Sequence, residues 1–197
     1  MRSLQDAAVR FTKTGRCRIS NHLHCLQSCM FAPMAPERLY PSKILLAGEY
    51  TVLRGGSGFA IPWPRYAAKW EQIPDRGYPL AEDFIHYISQ NAELASSLDL
   101  SALKIDAGKG WQVSTNIPFG YGLGSSGSFC AAIFDRFKIQ EQLSVEHTHS
   151  LLKSLESYYH GNSSGLDPMV SYYARPVVIQ NNVCRLTDPL SPELLCE

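Results

Sequence analysis

The segment Ile117-Pro-Phe-Gly-Tyr-Gly-Leu-Gly-Ser-Ser-Gly-Ser128 holds four glycines and three serines between two apolar stretches. Glycine lets the backbone approach a ligand closely and adopt left-handed conformations. The run that follows, residues 129–137, has a helical pattern. The first N–H groups of that helix, with the positive end of its dipole, would face the glycine loop. The segment therefore predicts a loop that binds the phosphate groups of a nucleotide.

Composition narrows the class of protein. The chain has 197 residues, of which 45% are hydrophobic, and its formal net charge is zero. A chain with no basic excess is not expected to hold nucleic acid by electrostatics. No apolar run approaches the roughly 20 residues that span a bilayer, so no membrane association is expected. The six cysteines are scattered rather than arranged as a disulfide framework, which favours a reducing compartment, the cytoplasm.

Differences in composition and hydrophobic periodicity divide the chain into three parts. Residues 1–39 are rich in arginine, poor in acids and weakly periodic, as in an N-terminal extension without a folded role; an organelle transit peptide is the alternative. Residues 40–185 are predicted to form one domain. Residues 186–197 carry two prolines and no clear element, as a linker would.

Hydrophobic patterning within the domain predicts alternating strands and helices. Pro62 and Pro64 should make part of one strand an edge or a bulge, and Ser144 should cap a helix. The predicted strands are 43–47, continuing extended over 49–53, then 59–70, two short strands within 103–117, and 177–180. The predicted helices are 80–94, 126–140, 144–158 and a turn at 169–173.

Three segments resemble the GHMP small-molecule kinases. Pro118 to Gly127 resembles their phosphate-binding motif P-x-G-x-G-L-G-S-S-A/G. Pro41-Ser-Lys-Ile-Leu-Leu-Ala-Gly-Glu-Tyr50 resembles the P-x-K-x-x-L-x-G-E-H of mevalonate kinases, with Tyr50 in place of the final His. His160-Gly-Asn-Ser-Ser-Gly-Leu-Asp167 resembles their H-G-N-P-S-G-x-D. The three matches occur in the family's order, and the overall texture is most similar to the mevalonate kinase-like proteins of Bacteroidetes.

The resemblance implies an α+β fold like domain 2 of ribosomal protein S5, with a mixed sheet and helices packed on one face. It implies ATP and Mg²⁺ as cofactors and transfer of the γ-phosphoryl group to a small-molecule alcohol, most simply mevalonate. A homodimer is possible. The family's C-terminal domain carries a further glycine-rich motif, which is absent from residues 180–197, so we expect a truncated N-terminal domain with weak nucleotide binding and little turnover.

Site residues follow partly from chemistry. Mg²⁺ takes hard oxygen ligands, and Ser126 with Glu156 can offer them. Asp167 can accept the proton of the substrate hydroxyl, and Lys43 can pair with Asp167 and face the developing phosphate charge. The resemblance implies the same roles. It adds Glu49 and Ser164 as substrate contacts beside Lys43 and Asp167. The residues expected to contact the nucleotide are Pro118, Gly120, Gly122, Leu123, Gly124, Ser125, Ser126 and Gly127.

Other interpretations stay open at this stage. Gly122 to Gly127 also satisfies G-x-G-x-x-G, the dinucleotide-binding pattern, although no suitable acid follows at the end of a next strand. Another GHMP kinase, acting on phosphomevalonate, homoserine or a sugar, would use the same loop. A non-catalytic remnant that binds a nucleotide, or a partner through an exposed apolar face, is the remaining alternative.

Overall fold

A five-stranded antiparallel sheet carries the domain. The computed structural model describes residues 37–48, 51–73, 82–181 and 183–188, and the structural statements below concern those residues. The strands are β1 (Tyr40–Ala47), β2 (Gly58–Gln72), β3 (Trp111–Thr115), β4 (Val177–Gln180) and β5 (Val183–Leu186). The helices are α1 (Glu82–Gln90), α2 (Ala92–Ser97), α3 (Leu100–Gly108), α4 (Ser125–Phe137), α5 (Val145–His160) and α6 (Leu166–Tyr173), with a short 3₁₀ turn at Val52–Arg54.

The long strand β2 organises the sheet. Ala68 pairs with Tyr40 of β1 and with Thr115 of β3, and Ala60 pairs with β1 and with β4. Because a strand has two edges, β3 and β4 must share the edge opposite β1, at opposite ends of β2. β5 then pairs with β4.

The α+β class is confirmed, but the expectation of a mixed sheet is wrong for the described strands. Each pair in them is antiparallel, including the pairs that β4 makes with β2 and β5. Sequence order shows which segments are strands but not their direction in the sheet, which depends on how the helices carry the chain back. Antiparallel pairing also removes the parallel crossover on which the dinucleotide-binding alternative depends.

The strand β2 bulges close to Pro62 and Pro64, as their positions predicted. The β1–β2 register shifts between Pro41 and Ser42, whose partners are Ala67 and Trp63, so residues 64–66 bulge out of the pairing. Pro62 lies opposite Lys43, whose own N–H donates instead to the carbonyl of Leu123 at 3.0 Å. This backbone bond joins β1 to the glycine loop.

Helix α4 forms the centre of the core. Cys130, Ala131, Ala132, Ile133 and Phe134 are consecutive and fully buried, so the helix is enclosed on all sides. It packs against α5 and α6 and against the sheet. The glycine loop that precedes α4 is consequently held by the most buried element of the domain.

Several local predictions fail for identifiable reasons. The predicted strand around Leu103 is helix α3, which Asp99 caps by accepting the N–H of Ala102. The predicted helix 80–94 divides at Asn91, whose side chain caps α2. Val52 lies in a 3₁₀ turn rather than an extended segment, and β5 was not predicted. Ser144 does cap α5, accepting the N–H of His147.

Some predictions lie outside the described residues. These are the predictions for residues 1–36, for Glu49 and Tyr50, for 74–81 and for 189–197. The domain limits at 39/40 and 185/186 stay predictions. Among the helices in the described ranges, none combines the length and apolar character needed to cross a bilayer.

Candidate functional site

A cleft of about 740 Å³ opens between β1, the glycine loop, the end of α5 and the start of α6. Its polar wall contains Lys43, Glu156 and Asp167, and Lys43 precedes the other two by more than a hundred residues in the chain. Its apolar wall comes from β1 and the 3₁₀ turn. The fold thus brings together the three side chains for which the sequence predicts chemistry.

The glycine loop reaches this cleft through left-handed backbone. Gly122 and Gly124 have φ of +69° and +75°, and Gly124 is the residue from which α4 begins. Of the eight residues expected to contact the nucleotide, Gly122 and Leu123 line the cleft, whereas Pro118, Gly120, Gly124, Ser125, Ser126 and Gly127 do not. Gly124 nevertheless lies against Lys43 and Asp167, because a Cβ built on it would come within 3.2 Å of both side chains. The start of α4 is therefore next to the cleft, and its free N–H groups are candidates for binding an anion.

Lys43 and Asp167 form an ion pair across the cleft floor. Lys43 Nζ lies 3.1 Å from Asp167 Oδ1, and the lysine side chain is 7% exposed against 26% for the aspartate. Burial raises the pKa of Asp167 above its ordinary value, and the ammonium of Lys43 opposes that rise. Because one oxygen of the carboxylate bonds to Lys43, the other is available to a second partner.

Two glycines let the loop come close to this pair. A Cβ built on Gly124 would lie 2.9 Å from Cγ of Lys43 and 3.2 Å from Oδ2 of Asp167. A Cβ on Gly127 would lie 2.7 Å from Cβ of Asp167 and 2.8 Å from Pro168 N. Any side chain at these positions would separate the start of α4 from the start of α6, where Asp167 lies in the first turn.

Glu156 is the most deeply buried carboxylate of the site. It is 4% exposed and accepts a hydrogen bond from the hydroxyl of Ser163. Burial, followed by the negative charge of Asp167, raises the pKa of Glu156 to about 8. Glu156 therefore releases its proton less readily than an exposed glutamate does.

The donor set suits Mg²⁺. Ser126 and Glu156 offer one hydroxyl and one carboxylate, and both are hard oxygens of the kind that Mg²⁺ binds. In the described ranges no group of three or more His, Cys, Asp or Glu side chains is placed to hold a metal. Mg²⁺ keeps several waters and binds through one or two carboxylates plus phosphates, so the two oxygens are sufficient.

The remaining predicted contact is Ser164, which lines the cleft; Glu49 lies outside the described residues. Three residues to which the sequence interpretation assigned no role also belong to the site. His160 Nε2 lies 3.0 Å from Ser126 Oγ, Ser163 bonds to Glu156, and His149 Nε2 lies 2.7 Å from the carbonyl oxygen of Ser164. His160 and Ser163 are inside the quoted motif, which could have drawn attention to them. The packing of His149 has no local sequence signal.

Comparison with known proteins gives one family match and several similar solved structures. Residues 86–175 match the family model described as "GHMP kinases N terminal domain", a range that includes the glycine loop, Glu156 and Asp167. No curated protein sequence gives a significant match. Three solved structures are similar to this chain, each with a TM-score below 0.5 and a sequence identity of about one fifth.

The Methanococcus jannaschii mevalonate kinase has a TM-score of 0.49 and 18% identity, over 80% of this chain and 57% of that one. The mevalonate kinase of Staphylococcus aureus MRSA252 has 0.48 and 20%, over 78% and 55%. Lactococcus lactis galactokinase, complexed with galactose, has 0.49 and 18%, over 78% and 46%. The chain spans about half the length of the structures it matches. Residues 86–175 of this chain, a little under half of its length, are therefore similar in sequence to the N-terminal domain of the GHMP kinases.

Proposed function

We propose that this domain binds ATP through its glycine loop and transfers the γ-phosphoryl group to the hydroxyl of a small alcohol, with mevalonate as the preferred candidate. The observation that carries the proposal is the convergence of Lys43, Glu156 and Asp167 on one cleft beside the N-terminus of α4. Phosphoryl transfer needs the phosphate charge neutralised, the acceptor positioned and a proton removed. The cleft has a candidate group for each task.

The phosphates would be held by backbone rather than by many cations. The N–H groups at the start of α4 and the positive end of its dipole would face the phosphates, since α4 begins after Gly124, which lies against Lys43 and Asp167. Lys43 adds a fixed positive charge on the cleft floor, where burial keeps it from being screened by solvent. These groups favour negative charge that develops on the transferred phosphoryl.

Asp167 would act as the general base. Its Oδ1 is engaged by Lys43, while Oδ2 faces the position of Gly124 in the phosphate loop. The hydroxyl group of the alcohol would give its proton to the Asp167 carboxylate while the alcohol oxygen forms a bond to the γ-phosphorus of ATP. The bond between the γ-phosphorus and the bridging oxygen would break, and ADP would leave with that oxygen. The raised pKa of Asp167 makes the carboxylate a better proton acceptor than an exposed aspartate.

Ser126 and Glu156 would hold Mg²⁺. Bound there, the metal would neutralise part of the phosphate charge. Ser126 Oγ lies 3.0 Å from His160 Nε2, so the ring can donate to that oxygen or accept its proton, according to the tautomer.

The cleft walls favour a short, partly apolar alcohol. Leu45, Val52, Leu53 and Leu166 line one side, while Asn162 and Ser164 line another. A sugar would leave several hydroxyl groups against the apolar side, and unpaired buried polar groups are costly. The resemblance of segments 41–50 and 160–167 to mevalonate kinases supports mevalonate among such alcohols.

The test is transfer of label from [γ-³²P]ATP in Mg²⁺ to mevalonate, homoserine and galactose, with Asp167→Asn as the matched variant. We expect a small yield of labelled product with mevalonate for the wild-type chain, in keeping with the little turnover expected of this domain by itself, and none for D167N. Binding of Mg·ATP should survive in both, seen as a rise of the thermal midpoint with nucleotide concentration. Equal transfer by D167N would reject Asp167 as the base, and no stabilisation by Mg·ATP would reject the nucleotide site itself.

A further inference from the structure

Two side-chain contacts attach the loop of residues 161–165 to helix α5. Near the C-terminal end of α5, Ser163 Oγ donates to the carboxylate of Glu156; two turns earlier, His149 contacts the carbonyl of Ser164. The loop therefore doubles back along the helix that carries the proposed metal ligand. It then starts α6 with Leu166 and Asp167.

The hydroxyl of Ser163 has a fixed direction. It is 5% exposed, and its oxygen accepts the N–H of Gly165 at 2.8 Å. A hydroxyl carries one proton, and with the oxygen already accepting from Gly165 that proton is free to go to Glu156. Both partners are buried, so no water competes for the bond.

We propose that Ser163 is a positioning residue for the metal site, holding the Glu156 carboxylate turned towards the cleft. This inference rests on the proposed function. The matching position of the H-G-N-P-S-G-x-D pattern is a proline, which has no hydroxyl to donate. The hydrogen bond from Ser163 to Glu156 is therefore a feature of this chain rather than of that pattern. Without it, the carboxylate of Glu156 loses a donor and can turn towards Lys43, the nearby cation that already pairs with Asp167.

Outer partners of metal ligands typically contribute about 10- to 100-fold in metal affinity. The probe is Mn²⁺ with a non-hydrolysable ATP analogue, AMPPNP, followed by the electron paramagnetic resonance signal of free Mn²⁺. We expect Ser163→Ala to weaken Mn²⁺ binding by about 10-fold or more. Ser163→Thr keeps the hydroxyl and should restore affinity to within about threefold of the wild type.

Ser157→Ala is the matched control. Ser157 lies on the same helix, and its hydroxyl donates to the carbonyl of Lys153 rather than into the cleft. Its removal should leave Mn²⁺ affinity unchanged. Should S163A fail to fold, Ser163→Cys takes its place, since the thiol is a weak donor of similar size and should give an intermediate loss. Wild-type affinity in either variant would overturn the inference.

A double-mutant cycle separates positioning from general loosening of the loop. In the Glu156→Gln background, adding S163A should change the residual Mn²⁺ affinity less than about twofold, because the residue acts through Glu156. A loss as large as in the wild-type background would show that the loop merely loosens. If the wild-type chain binds no Mn²⁺ with AMPPNP, the proposed function fails along with the inference; binding that S163A leaves intact defeats the inference alone.

Discussion

Alanine at Gly124 should destabilise the domain more than alanine at Gly122, although both glycines have left-handed φ. The cost of placing a non-glycine residue in that conformation is about 1 to 2 kcal/mol, and both variants pay it. Only the Gly124 variant meets other atoms. Its Cβ would lie 2.9 Å from Cγ of Lys43 and 3.2 Å from Asp167 Oδ2, whereas a Cβ on Gly122 meets nothing within 4 Å.

The crowding cannot be relieved cheaply, because Lys43 is buried and ion-paired. Overpacking of this kind costs about 1 to 3 kcal/mol beyond the backbone term. For a domain of this size, about 1 kcal/mol corresponds to about 2 to 4 °C, so the thermal midpoint of G124A should lie about 2 to 12 °C below that of G122A. The loss of unfolded-state entropy on replacing glycine is common to both and cancels.

The assay is thermal unfolding by circular dichroism without nucleotide, so that ligand contacts do not enter. A midpoint for G124A about 2 to 12 °C below that of G122A would show that the loop is held against Lys43 and Asp167 in solution. Midpoints within about 1 °C of each other would contradict the close approach of the loop, and with it the geometry of the proposed site.

Two further predictions concern titratable groups away from the metal ligands. Burial, aided by the charge of Lys153, lowers the pKa of His149 below 6.5, so the unfolded chain binds the proton more readily and the free energy of unfolding should fall as the pH drops below about 6.5. His149→Gln removes this contribution, so its destabilisation in urea should be smaller at about pH 5.5 than at about pH 7.5; an equal loss at both would contradict it. Burial raises the pKa of Cys184 from 9.0 to about 12, so its thiolate fraction should be roughly a thousandfold lower in the folded chain. Iodoacetamide labelling of the Cys184 peptide, followed by mass spectrometry, should be far slower in buffer than in urea, and equal rates would refute its burial.

The elements with strong local signals could be predicted from the sequence. The glycine-rich segment before a helix, the serine cap at Ser144 and the strand ending at Gly48 each depend on interactions within a few residues. Leu103 shows the limit of that approach, because its short apolar alternation suggested a strand while the cap at Asp99 and the following turn made a helix. Where the local signal was weak, packing against neighbouring elements determined the secondary structure of the segment.

Residue types, together with the resemblance of three segments to the GHMP kinases, identified the candidates for chemistry, including the pairing of Lys43 with Asp167. Only the tertiary structure decided that the described strands pair antiparallel, that Gly124 lies against Lys43 and Asp167, and that Ser163 bonds to Glu156. The reason is physical: these features depend on burial and on contacts between segments distant in the chain. A linear pattern carries little information about either.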